Sequence, residues 1–213
     1  MDSRPAIDQL LTLLATLSFR LGSFTLSSGA TSDYYIDCRT TTLHAEGGRL
    51  TGLAILDALR VRGLLDGPSA LEAVGGLTLG ADPIVSNVAT ASAWAAHKAS
   101  SAGLTDTALL NGFLVRKAEK THGTGRRIEG FCKPGANVLI VDDVCTTGAS
   151  TITAMQAARE AGMHVRAVVC LVERQEANGR PAVESAAEGA PFLSLFTAQD
   201  VRAEHLRLGF TAQ

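Results

Sequence analysis

The stretch VLIVDDVCTTGAST, Val138 to Thr151, decides how the rest of the chain is read. Four apolar residues suited to a buried strand run straight into two adjacent carboxylates, and a hydroxyl-rich turn with one glycine follows. Neighbouring carboxylates repel, and charges beside a core are costly unless a partner satisfies them. The turn CTTGAS leaves a strand and opens a helix, so it presents free backbone N–H groups and the positive end of a helix dipole. Gly148 lets the backbone approach a ligand, and the hydroxyls of Thr146, Thr147 and Ser150 add donors, with Ala149 between them; together they form an anion cradle suited to a monophosphate. The spacing GxxxxGK[ST] is absent, which disfavours an ATPase. Asp142 and Asp143 cannot be there for the phosphate itself. They suit a neutral partner with paired hydroxyl donors, and a phosphate beside a diol describes a ribose 5-phosphate. An isolated acid pair after a strand is ordinarily a solvent-facing helix cap; the apolar run before it and VCTTGAS after it weigh against that here.

Outward from this stretch, the second half alternates cleanly. LLNGFLV is a strand ending at Val115, a polar loop covers 116–130, NVLIV is a strand, and 149–161 is a helix ended by Gly162. HVRAVVCLV is the next strand, followed by a polar loop, the strand PFLSLF and a short C-terminal helix. In the first half an amphipathic helix precedes SFTLSSGATSDYYIDCR, which reads as two short strands joined by a Ser/Gly turn. Residues 43–62 are helical, 71–74 form a strand running into Gly75-Gly76, and Asp82-Pro83 starts a helix over 84–98. Continuous apolar strands alternating with helices indicate an α/β fold with a parallel sheet covered on both faces. Ligands bind at the carboxyl ends of such strands, which selects the loops after Val74, Val115, Val141 and Val172.

The composition agrees with one soluble domain: 213 residues, 46% hydrophobic, 19% charged, with a net charge of −2 that offers no basic field for nucleic acid. Four cysteines lie far apart with no CxxC pair, which argues against a zinc site or a disulfide framework and for a cytosolic protein. No secretory leader and no stretch of ~20 apolar residues is expected, hence no membrane span. The local exception is VRKAEKTHGTGRRIEG. Residues 116–130 hold five Lys/Arg against two Glu, and a glycine-containing basic loop near a phosphate cradle is suited to close over a polyphosphate.

These residues resemble a family. VLIVDDVCTTGAS is similar to the phosphoribosyl-pyrophosphate (PRPP) motif of type I phosphoribosyltransferases, and the spacing R-K-x-x-K-x-H-G resembles the catalytic loop of the orotate phosphoribosyltransferase branch. FTLSSGATSDYYIDCR resembles that branch's N-terminal hood, GGLTLGADPI its pyrophosphate loop, and LVERQE places Arg174 where the family sets an arginine against the pyrimidine. The resemblance spans 24–176. It implies a central, mostly parallel sheet flanked by helices, as one domain over 1–213. In that domain 1–40 and the C-terminal part build a small hood, and 41–200 form the core.

The resemblance further implies that the enzyme joins orotate to PRPP, giving orotidine 5′-monophosphate and pyrophosphate. Asp142, Asp143, the 146–150 loop, Gly75, Gly76 and Thr78 would hold PRPP. Arg174, Thr146, Tyr34 and Tyr35 would hold orotate, and Arg116, Lys117, Lys120 and His122 would act on the departing pyrophosphate. Mg²⁺ is implied as cofactor, carried mainly by substrate oxygens rather than by dedicated ligands. A homodimer is implied in which the basic loop reaches the neighbouring site. Two positions differ from the common family pattern: Ser27 and Leu79 stand where lysines are frequent. A transferase for another base, a nucleotide-sensing regulator without catalysis, and a general nucleotide-binding α/β protein are the alternatives. The last two fit poorly with four agreeing loops and retained Lys117, Lys120 and His122.

Overall fold

The computed structural model describes residues 4–25, 31–101, 108–117 and 127–211. Helix α1 (Ala6–Leu13) continues through one π-helical turn into the hairpin β1 (Phe19–Thr25) and β2 (Thr31–Ile36), which is antiparallel with an irregularity between Leu21 and Phe24. A short α2 (Arg39–Thr42) leads to α3 (Ala45–Val61), β3 (Ala73–Leu77) and α4 (Asp82–Ser101). Then come β4 (Asn111–Val115), β5 (Ile128–Gly130), β6 (Asn137–Cys145), α5 (Ala149–Glu160) and β7 (His164–Glu173). The chain closes with α6 (Arg180–Ala187), β8 (Phe192–Thr197) and α7 (Ala198–Arg207).

The main sheet has the order β5-β4-β3-β6-β7-β8 and is parallel except for β5, which runs antiparallel to β4. Alternate residues feed two cores. Val74, Leu139, Val141, Val169 and Leu171 pack under α3, α4 and the hairpin, while Ala73, Val138, Ile140, Val168 and Cys170 pack under α5 and α6. The chain moves from β3 outward to β4 and β5, then returns to β6 and runs the other way. The β3/β6 boundary is therefore a topological switch point, where the loops leaving the two strands part and open a crevice.

Several elements differ from those the sequence predicts. Gly75 and Gly76 lie inside β3, fully buried and paired with β4, rather than in a loop after it. A side chain at Gly75 would meet the Phe113 ring at 2.3 Å, and one at Gly76 would meet the Val141 carbonyl at 2.3 Å, so both glycines are required by close strand and side-chain packing. The strand NVLIV runs on to Cys145, which carries both acids on strand backbone. Within the predicted polar loops, 128–130 pairs as β5 and 180–187 folds as α6. The C-terminal α7 returns to the N-terminal elements: His205 Nδ1 meets the Ala15 carbonyl at 2.6 Å and Arg202 pairs with Asp33 of β2 at 2.7 Å.

Candidate active site

The carboxyl end of β6 forms the floor of a cleft of about 350 Å³. Asp142 is 7% exposed; its Oδ2 accepts from the Thr151 hydroxyl at 2.6 Å and its Oδ1 from the Asp143 amide at 3.1 Å. Burial pushes its carboxyl up to about 7 against the help of the Thr151 hydrogen bond. Asp143 is raised as well, again chiefly by burial. Both groups thus have unfilled capacity to accept hydrogen bonds at the cleft surface, and a ligand that donates to them favours their ionised form.

Beyond the acids the backbone turns at Gly148, whose φ of 79° is left-handed and which caps α5. Thr146 and Ser150 line the acid-floored cleft, and Thr147 joins Thr146 on a second hollow shared with Arg174 and Glu176. A side chain at Gly148 would meet Val183 of α6 at 2.3 Å, and one at Gly179 would strike the Thr146 carbonyl at 2.0 Å. The β7–α6 connection is thus packed directly against the anion loop. Arg180 fixes that connection: it forks onto the buried Glu173 of β7 and reaches Ser194 of β8 at 3.1 Å.

Across the switch point, Thr78, Leu79 and Gly80 form the facing wall. A side chain at Gly80 would meet Asp143 Oδ1 at 2.4 Å, so the two loops touch. Lys117, at the end of β4, lines the same cleft; Arg116 instead bonds Glu129 across the β4–β5 hairpin at 2.9 Å. Lys120, His122 and Ser27 lie outside the described residues.

Arg174 lines both hollows and is 9% exposed. Its Nε donates to the Tyr34 hydroxyl at 2.8 Å and to Glu176 at 3.0 Å, its Nη2 reaches the Ser32 hydroxyl at 3.3 Å, and its guanidinium lies 4.6 Å from the Tyr34 ring centroid. Tyr34 also donates to Glu176 and stacks on Phe19 at 5.2 Å. The two tyrosines therefore divide: Tyr34 is buried behind Arg174, while Tyr35 on the opposite strand face is 43% exposed and lines the cleft. Sequence reasoning missed Glu176, Gly179, the Glu173–Arg180 pair and Asp37-Arg39, which stands on the hood side of the cleft.

Comparison with known proteins decides among the readings this geometry allows. The orotate phosphoribosyltransferase of Corynebacterium glutamicum (strain R) is 42% identical over 201 residues, spanning 94% of this chain and 95% of that one. That of Thermosynechococcus vestitus is 43% identical over 196 residues, 92% of each chain. The chain belongs to the orotate phosphoribosyltransferase family. A solved orotate phosphoribosyltransferase from Mycobacterium tuberculosis, in complex with PRPP, superposes with a TM-score of 0.69 at 30% identity, covering 93% of this chain and 99% of that one. No family model matches the chain. As a member of that family the chain is a type I phosphoribosyltransferase of pyrimidine synthesis. It also excludes the regulator and general nucleotide-binder readings as descriptions of the family.

Proposed function

We propose that the crevice at the β3/β6 boundary binds PRPP across the switch point and orotate on the hood side of the cleft. The 5-phosphate sits on the 146–150 loop, the ribose hydroxyls donate to Asp142 and Asp143, and the diphosphate lies toward Thr78, Leu79 and Gly80. Arg174 holds the orotate, with Thr146 at its edge and Tyr35 against its face. Tyr34 contributes by fixing Arg174 from behind. The observation that carries this reading is the touching of two loops: the Gly80 backbone rests on Asp143, so a diol clamp and a diphosphate wall share one cleft.

Breaking the anomeric bond builds positive charge on the ribose and negative charge on the departing diphosphate, so groups that bind that diphosphate more tightly as it leaves lower the barrier. Lys117 is placed for this, and we assign the same role to Arg116, Lys120 and His122 of the basic loop. Closure of that loop excludes water, the competing nucleophile. Among the described residues no three His, Cys, Asp or Glu side chains gather around a common point. Two carboxylates beside a polyphosphate suit Mg²⁺, which takes one or two carboxylates, substrate oxygens and water. Bound there, Mg²⁺ supplies charge neutralisation on the diphosphate. We assign the enzyme to the cytoplasm and to a homodimer whose basic loops serve the neighbouring site; among the described residues no helix is long and apolar enough to cross a membrane.

The test is incubation with PRPP and Mg²⁺ against orotate, uracil, adenine and hypoxanthine. Loss of the orotate absorbance alone is the expected result. Consumption of another base at a comparable rate would overturn the assignment of Arg174 to orotate.

A further inference from the structure

The cleft contains a third cation besides Lys117 and Arg174. Arg39, the first residue of α2, lines it with a side chain 46% exposed. Its Nε and Nη2 donate to the two carboxylate oxygens of Asp37, each at 2.8 Å, and its backbone N–H donates to Asp37 Oδ1 at 3.0 Å. This closed fork fixes the guanidinium plane. It leaves Nη1 with no hydrogen bond to a described residue, on a side chain that faces the cleft. A surface ion pair of this kind adds little to stability, which leaves the fixed orientation as its notable property.

The position of Arg39 indicates what the free edge serves. The Arg39 charge acts on Asp143, the carboxylate against which the Gly80 backbone packs. Arg39 and the 78–80 wall thus flank the same acid. That wall reads Thr78-Leu79-Gly80 and carries no cation, while Leu79 is 67% exposed. The three other parts of PRPP and its acceptor have partners already: the 5-phosphate has the 146–150 loop, the diol has the acid pair, and the base has Arg174. The diphosphate, the most highly charged part, has so far only the uncharged 78–80 wall and, among the described residues lining the cleft, Lys117, and it leaves from the carbon nearest the base. With the Nε–Nη2 fork closed on Asp37, the Nη1 edge still has N–H groups to donate to phosphate oxygens, and a pre-fixed guanidinium loses little freedom in doing so.

We propose that Arg39, held by Asp37, is a direct ligand of the diphosphate of PRPP and of released pyrophosphate. This rests on the PRPP reading above. In the transfer step the anomeric C–O bond to the diphosphate breaks with its electron pair on the leaving oxygen. The orotate ring nitrogen forms the new bond to the anomeric carbon and its proton passes to the departing diphosphate; Arg39 exchanges no proton and binds the resulting anion. Asp37 is a positioning residue that acts through Arg39.

The experiment is isothermal calorimetry of inorganic pyrophosphate with Mg²⁺ on the wild-type protein, Arg39→Ala and Arg39→Lys, together with steady-state kinetics in both directions. Pyrophosphate affinity is expected to fall at least about tenfold in Arg39→Ala, with KM for PRPP raised to match and KM for orotate within about twofold; Arg39→Lys recovers part of the loss because it restores charge without the fork. Asp37→Ala is expected to raise KM for PRPP with KM for orotate unchanged, a split that general loosening of the hood would not give. Unchanged pyrophosphate affinity in Arg39→Ala overturns the proposal, as does a rise in orotate KM equal to that for PRPP. The calorimetric arm needs no base. A wild-type protein that binds pyrophosphate through Arg39 yet leaves orotate untouched would sink the substrate reading and leave Arg39 in place.

Discussion

Burial is the dominant influence on Asp142, and it has a measurable consequence. A carboxyl held near 7 in the folded chain stays protonated where the unfolded chain, with a pKa near 3.8, is already ionised. The folded state therefore binds more protons over that window, so stability falls as pH rises from about 4 to about 7 and levels off above it. Asp142→Asn removes this titration while keeping an acceptor for Thr151. Its melting temperature relative to wild type is expected to climb between pH 5 and pH 8, by an amount equivalent to a few kcal/mol at most. Turnover is expected to drop at least about a hundredfold, because the diol loses an ionised acceptor. Thermal melts at the two pH values check the first claim. A constant gap would show that Asp142 titrates normally, and that its neighbours rather than its burial set its charge. The acid pair itself was legible in the sequence, because its flanks exclude the ordinary reading. The shift was not, since it depends on Thr151 and on how far β6 extends.

At the scale of elements, the anion loop is held from below as well as from β6. The Arg174 amide donates to the Cys145 carbonyl at 2.9 Å, and Gly179 presses against the Thr146 carbonyl, so the β7–α6 connection sets both Arg174 and the 146–150 loop. Gly179→Ala puts a methyl group 2.0 Å from that carbonyl, and the nearest atoms it meets are all backbone. The expected result is a loss of roughly 1–3 kcal/mol in stability with a raised KM for PRPP, read by denaturant titration and kinetics. An alanine variant as stable as wild type, with unchanged KM, would mean that the connection can shift without moving the loop. Nothing local marks Gly179: its φ is an ordinary −79° and its requirement comes from a loop more than thirty residues earlier. The helix α6 was hidden for a related reason, since its eight residues begin Arg-Pro amid polar sequence and only Val183 and Ala187 are buried. The strands β6 and β7, by contrast, are apolar over most of their length on both faces, and the sequence marked both because burial on both sides leaves that trace, though β6 runs on to Cys145 past the predicted NVLIV.

For the whole molecule, the proposed homodimer makes it matter which chain supplies which group. The proposed diol clamp and anion loop belong to the main sheet, at the end of β6 and the start of α5. The basic loop leaves β4 at the edge of the β3/β6 crevice, and it returns through β5, the edge strand of the sheet. A loop on an edge can serve a neighbouring copy, whereas acids at the sheet centre serve only their own. Two inactivating changes therefore separate the cases: Lys120→Ala removes a loop cation, and Asp143→Asn removes part of the clamp. Each homodimer is expected to be nearly inactive. Mixed dimers restore one complete site only if the loop acts across the interface, because one cleft then combines an intact clamp with an intact loop. Random mixing makes half the dimers mixed with one working site each, so activity should recover to about a quarter of wild type. If the loop serves its own cleft, each site in a mixed dimer still carries one lesion, and no recovery follows at any mixing ratio. Co-refolding the two variants and assaying orotate consumption against mixing ratio gives the answer, with size-exclusion chromatography confirming that dimers have formed.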